Sequence, residues 1–318
     1  MSPRPAGRPR AQPFDVVHDH SGFTAVAMAP RSPIPVVHTL HAPFNDDTRP
    51  FYARHGHKVR LVAISRFQLE HAPPGVRIED VVPNPIRVED WPFREGKDEY
   101  LLWVGRFDPV KGAHRAIRVA HQAGIPLVLA GPVQPGQEEY FAREIEPQID
   151  GEQVLYLQEV GGARRKELFA RAKALLMPIR WAEPFGLVMI EALVCGTPVL
   201  AFPEGAVSEI VIDGENGFQV ADEQEMTAAI GLLDQIDPLR CRESVASPLR
   251  RRDHRRTVRG RLRASDPGRG GTPQVHRPAP AASTSARSIA QRTSPTASDH
   301  RVIASAALDG AAQGRGPS

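Results

Sequence analysis

Two glutamates eight residues apart, Glu183 and Glu191, lie on either side of a helix start. Two cations, Arg106 and Lys111, bracket a turn further up the chain. In Glu183-Pro184-Phe185-Gly186-Leu187, Pro184 suits a first helical turn and Gly186 a close approach of backbone to a ligand. From Phe185 to Val194 the apolar spacing predicts a buried helix, capped by Gly196 and ended by Pro198. Glu183 then sits on the entry loop. Glu191, about two turns in, falls near the face opening toward that loop. Both carboxylates and the free N–H groups of the helix start are expected to face one space. Carboxylates accept sugar hydroxyls and a helix N-terminus attracts phosphate. A ligand carrying both groups, such as a nucleotide sugar, fits.

Arg106 and Lys111 follow an apolar run, so both can converge on a diphosphate, arginine as a bidentate fork and lysine as a compact charge. There they would stabilise negative charge developing on a departing nucleoside diphosphate. Alone, such a pair also fits a solvated loop; beside the helix motif, the diphosphate is the better reading. Glu191 is flanked by Val188, Met189, Ile190, Ala192 and Leu193. A carboxylate buried there is costly without a partner.

The positioning elements alternate between strand and helix. Phe14–His20, Pro35–Leu40 and Val59–Ser65 read as strands, with helices over 21–29 and 46–57. Ser65 is placed to cap a helix from Arg66, and Val81–Ile86 closes the segment with Asn84 in an extended turn between two prolines. About three strands make this half a domain at best. After a linker around 89–99 come strands at Tyr100–Gly105, Pro126–Gly131, Val154–Leu157, Ala174–Pro178, Val199–Phe202 and Phe218–Val220. Helices are expected over 112–124, 138–149, 163–172 and 185–194, and a last one, capped by Asp222 and Glu225, runs to Ile236. The alternation implies a doubly wound α/β domain, whose ligands bind beyond the carboxyl ends of the strands. The domains are therefore drawn at 14–96 and 97–246.

Charge is unevenly spread. Residues 247–318 hold 14 Arg against 4 Asp and no Lys or Glu, a net of +10, leaving −7 of the formal +3 for the remainder. Cys195 and Cys241 are the only cysteines, too few for a disulfide framework or a metal cluster. No apolar run is long enough to cross a membrane, and a cytoplasmic protein is expected.

Four pieces carry a family resemblance: Gly105-Arg106-Phe107-Asp108-Pro109-Val110-Lys111-Gly112; Glu183-Pro184-Phe185-Gly186 with Glu191; Gly196-Thr197-Pro198-Val199; and Val37-His38-Thr39-Leu40-His41. In this order and spacing, residues 14–246 resemble the retaining GT-B-fold glycosyltransferases of family 4 (glycosyl transferases group 1). The resemblance implies a GT-B α/β fold with one complete and one partial Rossmann-like domain. It implies that Glu191 takes the ribose hydroxyls, Glu183 the hydroxyls of the transferred sugar, and Arg106 and Lys111 the diphosphate. Phe185, Gly186 and Leu187 would turn backbone N–H groups toward phosphate or sugar, and His41 would stand near donor sugar and acceptor. The donor would be a UDP-, GDP- or ADP-linked sugar, the acceptor a hydroxyl, and the transfer would retain configuration with no covalent nucleophile. No cofactor or metal is expected, because the cation pair replaces a divalent ion. His18 and His20 read as strand-end polar residues rather than metal ligands, and His38 as structural.

The family pattern departs at both ends. Residues 1–13 and the Arg/Pro/Ala/Ser-rich 247–318 are expected to be disordered. The tail reads best as out-of-frame translation of a GC-rich gene, ahead of an arginine-rich nucleic-acid arm or a solvated linker, and no nucleic-acid partner is expected. With the acceptor half incomplete, the second function class is a non-catalytic, nucleotide-sugar-binding remnant.

Overall fold

A computed structural model of the chain describes residues 14–246, all within one compact unit. The expected disorder of 1–13 and 247–318 falls outside the described residues. Two parallel sheets form the framework.

The first sheet holds β1 (Val17–Asp19), β2 (Val36–Thr39), β3 (Arg60–Ala63) and β4 (Ile78–Val81), paired in that order. It therefore has four strands where about three were expected. The extra strand, Ile-Glu-Asp-Val, is an edge with two carboxylates in it, so it lacks the apolar run of a buried parallel strand. Between these strands run α1 (Phe23–Met28), α2 (Thr48–His55) and α3 (Arg66–Glu70). Ser65 caps α3 as expected, its hydroxyl accepting from Gln68 N. Val26, Leu40, Phe44, Tyr52 and Leu61 make the small core of this half.

The second sheet contains β5 (Leu101–Val104), β6 (Leu127–Ala130), β7 (Val154–Tyr156), β8 (Ala174–Met177), β9 (Val199–Ala201) and β10 (Gly217–Gln219). Its spatial order is β10-β9-β8-β5-β6-β7, all pairs parallel. Alternate residues feed opposite cores. Leu101, Trp103, Leu127, Leu129, Ala174 and Leu176 join one cluster; Leu102, Val128, Leu175 and Met177 join the other. Both faces are thus buried, which explains why these strands read as continuous apolar runs.

The helices covering this sheet are α4 (Ala113–Ala123), α5 (Glu138–Tyr140), α6 (Gly162–Arg171), α7 (Leu187–Val194), α8 (Val207–Ile210), α9 (Glu223–Ile230) and α10 (Pro238–Ala246). On α4 the buried Ala113, Ala116, Ile117 and Ala120 form one stripe at helical spacing. Two expected helices are shorter than their patterns suggested. The helix over 138–149 begins as α5, continues as a π-helical turn over Phe141–Ile145 and ends as a 3₁₀ turn containing Pro147, which cannot extend an α-helix. The helix expected to reach Ile236 stops at Ile230. Gly231, a weak helix former, caps it there, and a separate 3₁₀ turn follows at Leu233–Gln235. Asp222 does cap α9, accepting from Glu225 N at 2.9 Å.

Because β5 is flanked by β6 on one side and β8 on the other, the winding reverses between β5 and β8. The loops leaving these two strands diverge there and leave a crevice at their carboxyl ends. The first sheet is fastened beside it. Glu209 on α8 accepts from the backbone N–H of Arg66 (2.9 Å) and Phe67 (2.7 Å) at the start of α3.

Candidate active site

A cavity of about 380 Å³ opens at the reversal point. Its walls come from the loop after β5 (Gly105, Arg106, Lys111), the loop after β8 (Ile179, Glu183 to Gly186), the first turn of α7 (Leu187, Val188), and His41, Ile64 and Asn84 from the first half. Seven of the eight residues singled out from sequence therefore line one cavity: His41, Arg106, Lys111, Glu183, Phe185, Gly186 and Leu187. Glu191 does not.

Lys111 ends a 3₁₀ turn, Pro109–Lys111, whose start is capped by Asp108 accepting from Val110 N at 3.0 Å. Gly112 must follow: it is left-handed (φ 79°), and a β-carbon would lie 2.2 Å from the Pro178 carbonyl oxygen. Arg115, unremarked in the sequence, straps the turn by donating to the carbonyls of Pro178 (2.7 Å) and Pro109 (3.1 Å). So held, Lys111 Nζ donates to Glu183 Oε2 at 3.0 Å and lies 3.9 Å from the centre of the Trp181 ring. Burial lowers the Lys111 pKa and Arg106 lowers it further, while Glu183 opposes both. The indole Nε1–H of Trp181 is buried without a hydrogen-bond partner among the described residues.

Glu183 is itself buried, on a loop locked from the far side. Ala206 N donates to the Glu183 carbonyl at 2.8 Å, and Gly205 (φ 65°) leaves no room for a side chain against it. Gly186 then turns the chain into α7 with φ 88°. Leu187 is exposed and Phe185 buried, so the first turn of α7 brings backbone to the cavity wall beside one apolar contact. At the other end, Gly196 in the left-handed region closes α7, as its sequence suggested.

A second depression of about 360 Å³ adjoins the first, sharing Val104, Gly105, Arg106 and Val188 with it. Here the expectation that both carboxylates face one space needs correction. Glu191 is half-buried behind this second depression, where it accepts a hydrogen bond from Arg165 Nη2 of α6. One turn of helix past Val188 carries it beyond the first cavity. Burial raises the pKa of Glu191 and Arg165 opposes the rise. Gly131 (φ 148°) closes the floor; a β-carbon there would sit 1.8 Å from Gly105 O.

On the opposite wall, His41 Nε2 pairs with His20 Nδ1 at 2.8 Å. Its pKa is lowered by burial and by the neighbouring His20 and His38. His38 is buried and accounted for structurally: it contacts Asp19 (2.5 Å) through Nδ1 and the Tyr52 hydroxyl (2.9 Å) through Nε2. Because a carboxylate only accepts, Nδ1 carries the proton and Nε2 accepts from Tyr52. His18 Nε2 contacts Thr39 Oγ1 at 2.8 Å. Among the described residues no group of three or more His, Cys, Asp or Glu side chains is arranged to hold a metal ion.

Arg165 and Asn84 are the site residues that sequence reasoning missed. Asn84 was visible only as a polar residue between two prolines. Arg165 lies in the run Arg164-Arg165-Lys166-Glu167, where nothing local marks which cation turns inward.

Two parallel α/β sheets with a crevice at the reversal define a GT-B-type fold. Residues 88–240 match the family model described as glycosyl transferases group 1. The chain is 28% identical over 262 residues to glycogen synthase of Mycobacterium tuberculosis, covering 73% of this chain and 62% of that protein. It thus spans less than two thirds of the length of that relative. HepE from Anabaena in complex with UDP superposes with a TM-score of 0.68 at 20% identity, over 79% of each chain. AviGT4, a glycosyltransferase involved in avilamycin A biosynthesis, superposes with a TM-score of 0.61 at 27% identity, over 81% of this chain and 77% of its own. No described helix is long and apolar enough to cross a membrane.

Proposed function

We propose that this chain binds a nucleotide sugar at the β5/β8 reversal and transfers the sugar, with retention of configuration, to an acceptor hydroxyl. The observation that carries the reading is the meeting of Arg106, Lys111, Glu183 and the start of α7 around one cavity. Arg106 and Lys111 bind the diphosphate and stabilise the charge that develops as it leaves. The first turn of α7 adds its backbone N–H groups and the positive end of its dipole. Glu183, held by Lys111, accepts from hydroxyls of the sugar and fixes its orientation.

Glu191 takes the ribose hydroxyls on the far side of Gly105 and Arg106. His41 faces the sugar across the cavity from the first half, where the acceptor would enter. No side chain is required as a covalent nucleophile. The departing phosphate takes the acceptor proton, and the acceptor attacks from the face the diphosphate leaves. The cation pair supplies the charge neutralisation for which other transferases use a divalent ion, so turnover should survive chelator. HepE is known in complex with UDP, which makes UDP-sugars the first donors to try, followed by GDP- and ADP-sugars.

The test is donor turnover by the full chain, with NMR of the transferred sugar's anomeric proton in the product. Expected is release of nucleoside diphosphate and an α-product from an α-donor, both lost in Lys111→Ala. Nucleotide binding without turnover of any donor would contradict transfer and leave binding alone.

A further inference from the structure

The second depression holds a residue that nothing in the chain's motifs assigns. We propose that Arg165 is a positioning residue for the donor nucleoside: it fixes the Glu191 carboxylate so that it can discriminate a ribose diol. This rests on the donor-site reading above and deepens it.

Three observations lead there. First, Arg165 lines the depression while Glu191, its partner, stands behind it; the side chains are 31% and 18% exposed. Second, Arg165 is the one member of its run turned to this wall. Arg164 is exposed to solvent, and Lys166 donates to the Asp90 carbonyl at 2.6 Å over the Trp91 ring. Third, the guanidinium lies 5.3 Å from the centre of the Phe169 ring, a buried support that limits its freedom.

A carboxylate has two oxygens and several lone pairs. Arg165 Nη2 engages Oε2, which leaves Oε1 and the remaining lone pairs for a diol. The ion pair opposes the rise that burial imposes on the Glu191 pKa and so favours the charged form, and a charged acceptor binds hydroxyls more strongly than a neutral one. Without the guanidinium the carboxylate would be left half-buried and uncompensated. Other ionic groups near α7 are engaged elsewhere or lie on the rim. Arg242 on α10 donates to the carbonyls of Val194, Trp91 and Val88, and Glu159 and Arg106 stand on the walls of the depression.

The experiment is calorimetry of the full chain with UDP, GDP and ADP, each beside its 2′-deoxy form. The wild type is expected to prefer the ribose form of the nucleotide it binds by roughly tenfold, the worth of one hydrogen bond to a charged group. In Arg165→Gln, which keeps the length and much of the packing on Phe169, the preference should collapse to within about twofold. Arg165→Lys, which keeps the charge, should retain more than about threefold. An unchanged ratio in folded Arg165→Gln would overturn the proposal. So would a folded Arg165→Lys as indifferent to the 2′-hydroxyl as Arg165→Gln, since packing would then set the ratio. A wild type that binds nucleotide with no ribose preference also overturns it, with the donor-site reading intact. A wild type that binds no nucleotide removes the donor-site reading itself and this inference with it.

Discussion

Lys111 Nζ donates to Glu183 Oε2 at 3.0 Å, joining the loop after β5 to the loop after β8. The two residues lie 72 positions apart in the chain. They meet because β5 and β8 are neighbours at the one place where the larger sheet reverses its winding. The contact does two things: it compensates a largely buried ammonium, and it holds the Glu183 carboxylate on the cavity wall.

Removing either partner should therefore destabilise the fold as well as stop turnover. Glu183→Gln and Lys111→Met are each expected to cost about 3 kcal/mol, because each leaves a buried charge unpaired. The double variant should cost less than the two single losses together, by about 1–3 kcal/mol. Denaturant melts of the four proteins measure this coupling, and strictly additive losses would show that the pair is not coupled.

The chain Asp19–His38–Tyr52 sets an acid limit on stability. His38 is held neutral: burial lowers its pKa, although Asp19 opposes this. The folded pKa lies below the unfolded value, so the stabilisation is complete above about pH 6.5 and drains away as pH falls through the folded value. For Asp19, burial alone would raise the pKa, but hydrogen bonds from the Ser21 hydroxyl and backbone N–H, and from His38, draw it down to about 2. Its share is present above about pH 4 and lost between about pH 4 and pH 2. Melting temperature should be flat from pH 7 to 8 and fall in two stages on acidification. His38→Phe should erase the upper stage, and a profile unchanged by that substitution would contradict the assignment.

Glycines pressed against backbone should be far less replaceable than those facing open space. Gly131→Ala forces a β-carbon into the Gly105 carbonyl oxygen and should cost about 3 kcal/mol or more, with loss of nucleotide binding. Gly161→Ala, where the backbone is extended and nothing lies within 4 Å, should change stability by less than about 0.5 kcal/mol. Thermal melts and binding of the two variants make the comparison.

Trp181 offers a further contrast. Its ring face holds Lys111, whereas its Nε1–H is buried without a hydrogen bond to any described residue. Trp181→Phe keeps an aromatic face and removes the unsatisfied donor, an offset that should leave stability within about 1 kcal/mol of wild type. A loss of several kcal/mol on melting would mean that the indole N–H has a partner that matters.

Much of this site was legible in the sequence because it is punctuated by residues with few conformational options. Gly112, Gly186 and Gly196 occupy left-handed backbone, and Pro184 and Pro198 stand at the margins of α7. These fix where the loops turn, and so where Arg106, Lys111 and Glu183 emerge. What stayed hidden depends on contacts between distant segments. β4 is an edge strand whose Glu79 and Asp80 mask its pairing with β3. Arg165 was hidden because an amphipathic helix with three adjacent cations does not reveal which one meets a carboxylate on α7. The separation of Glu183 from Glu191 was also beyond sequence: helical phase places both near one side, but only the packing of α6 against α7 pairs Glu191 with an arginine that lines the neighbouring depression.

The most direct measurement is calorimetric titration of the full chain with UDP, GDP and ADP, repeated on Lys111→Ala and Glu191→Ala. Expected is saturable binding of at least one nucleoside diphosphate, weakened roughly a hundredfold or more in each variant. Absence of binding to the folded wild type, or equal binding to all three proteins, would contradict a nucleotide-sugar site at the β5/β8 reversal.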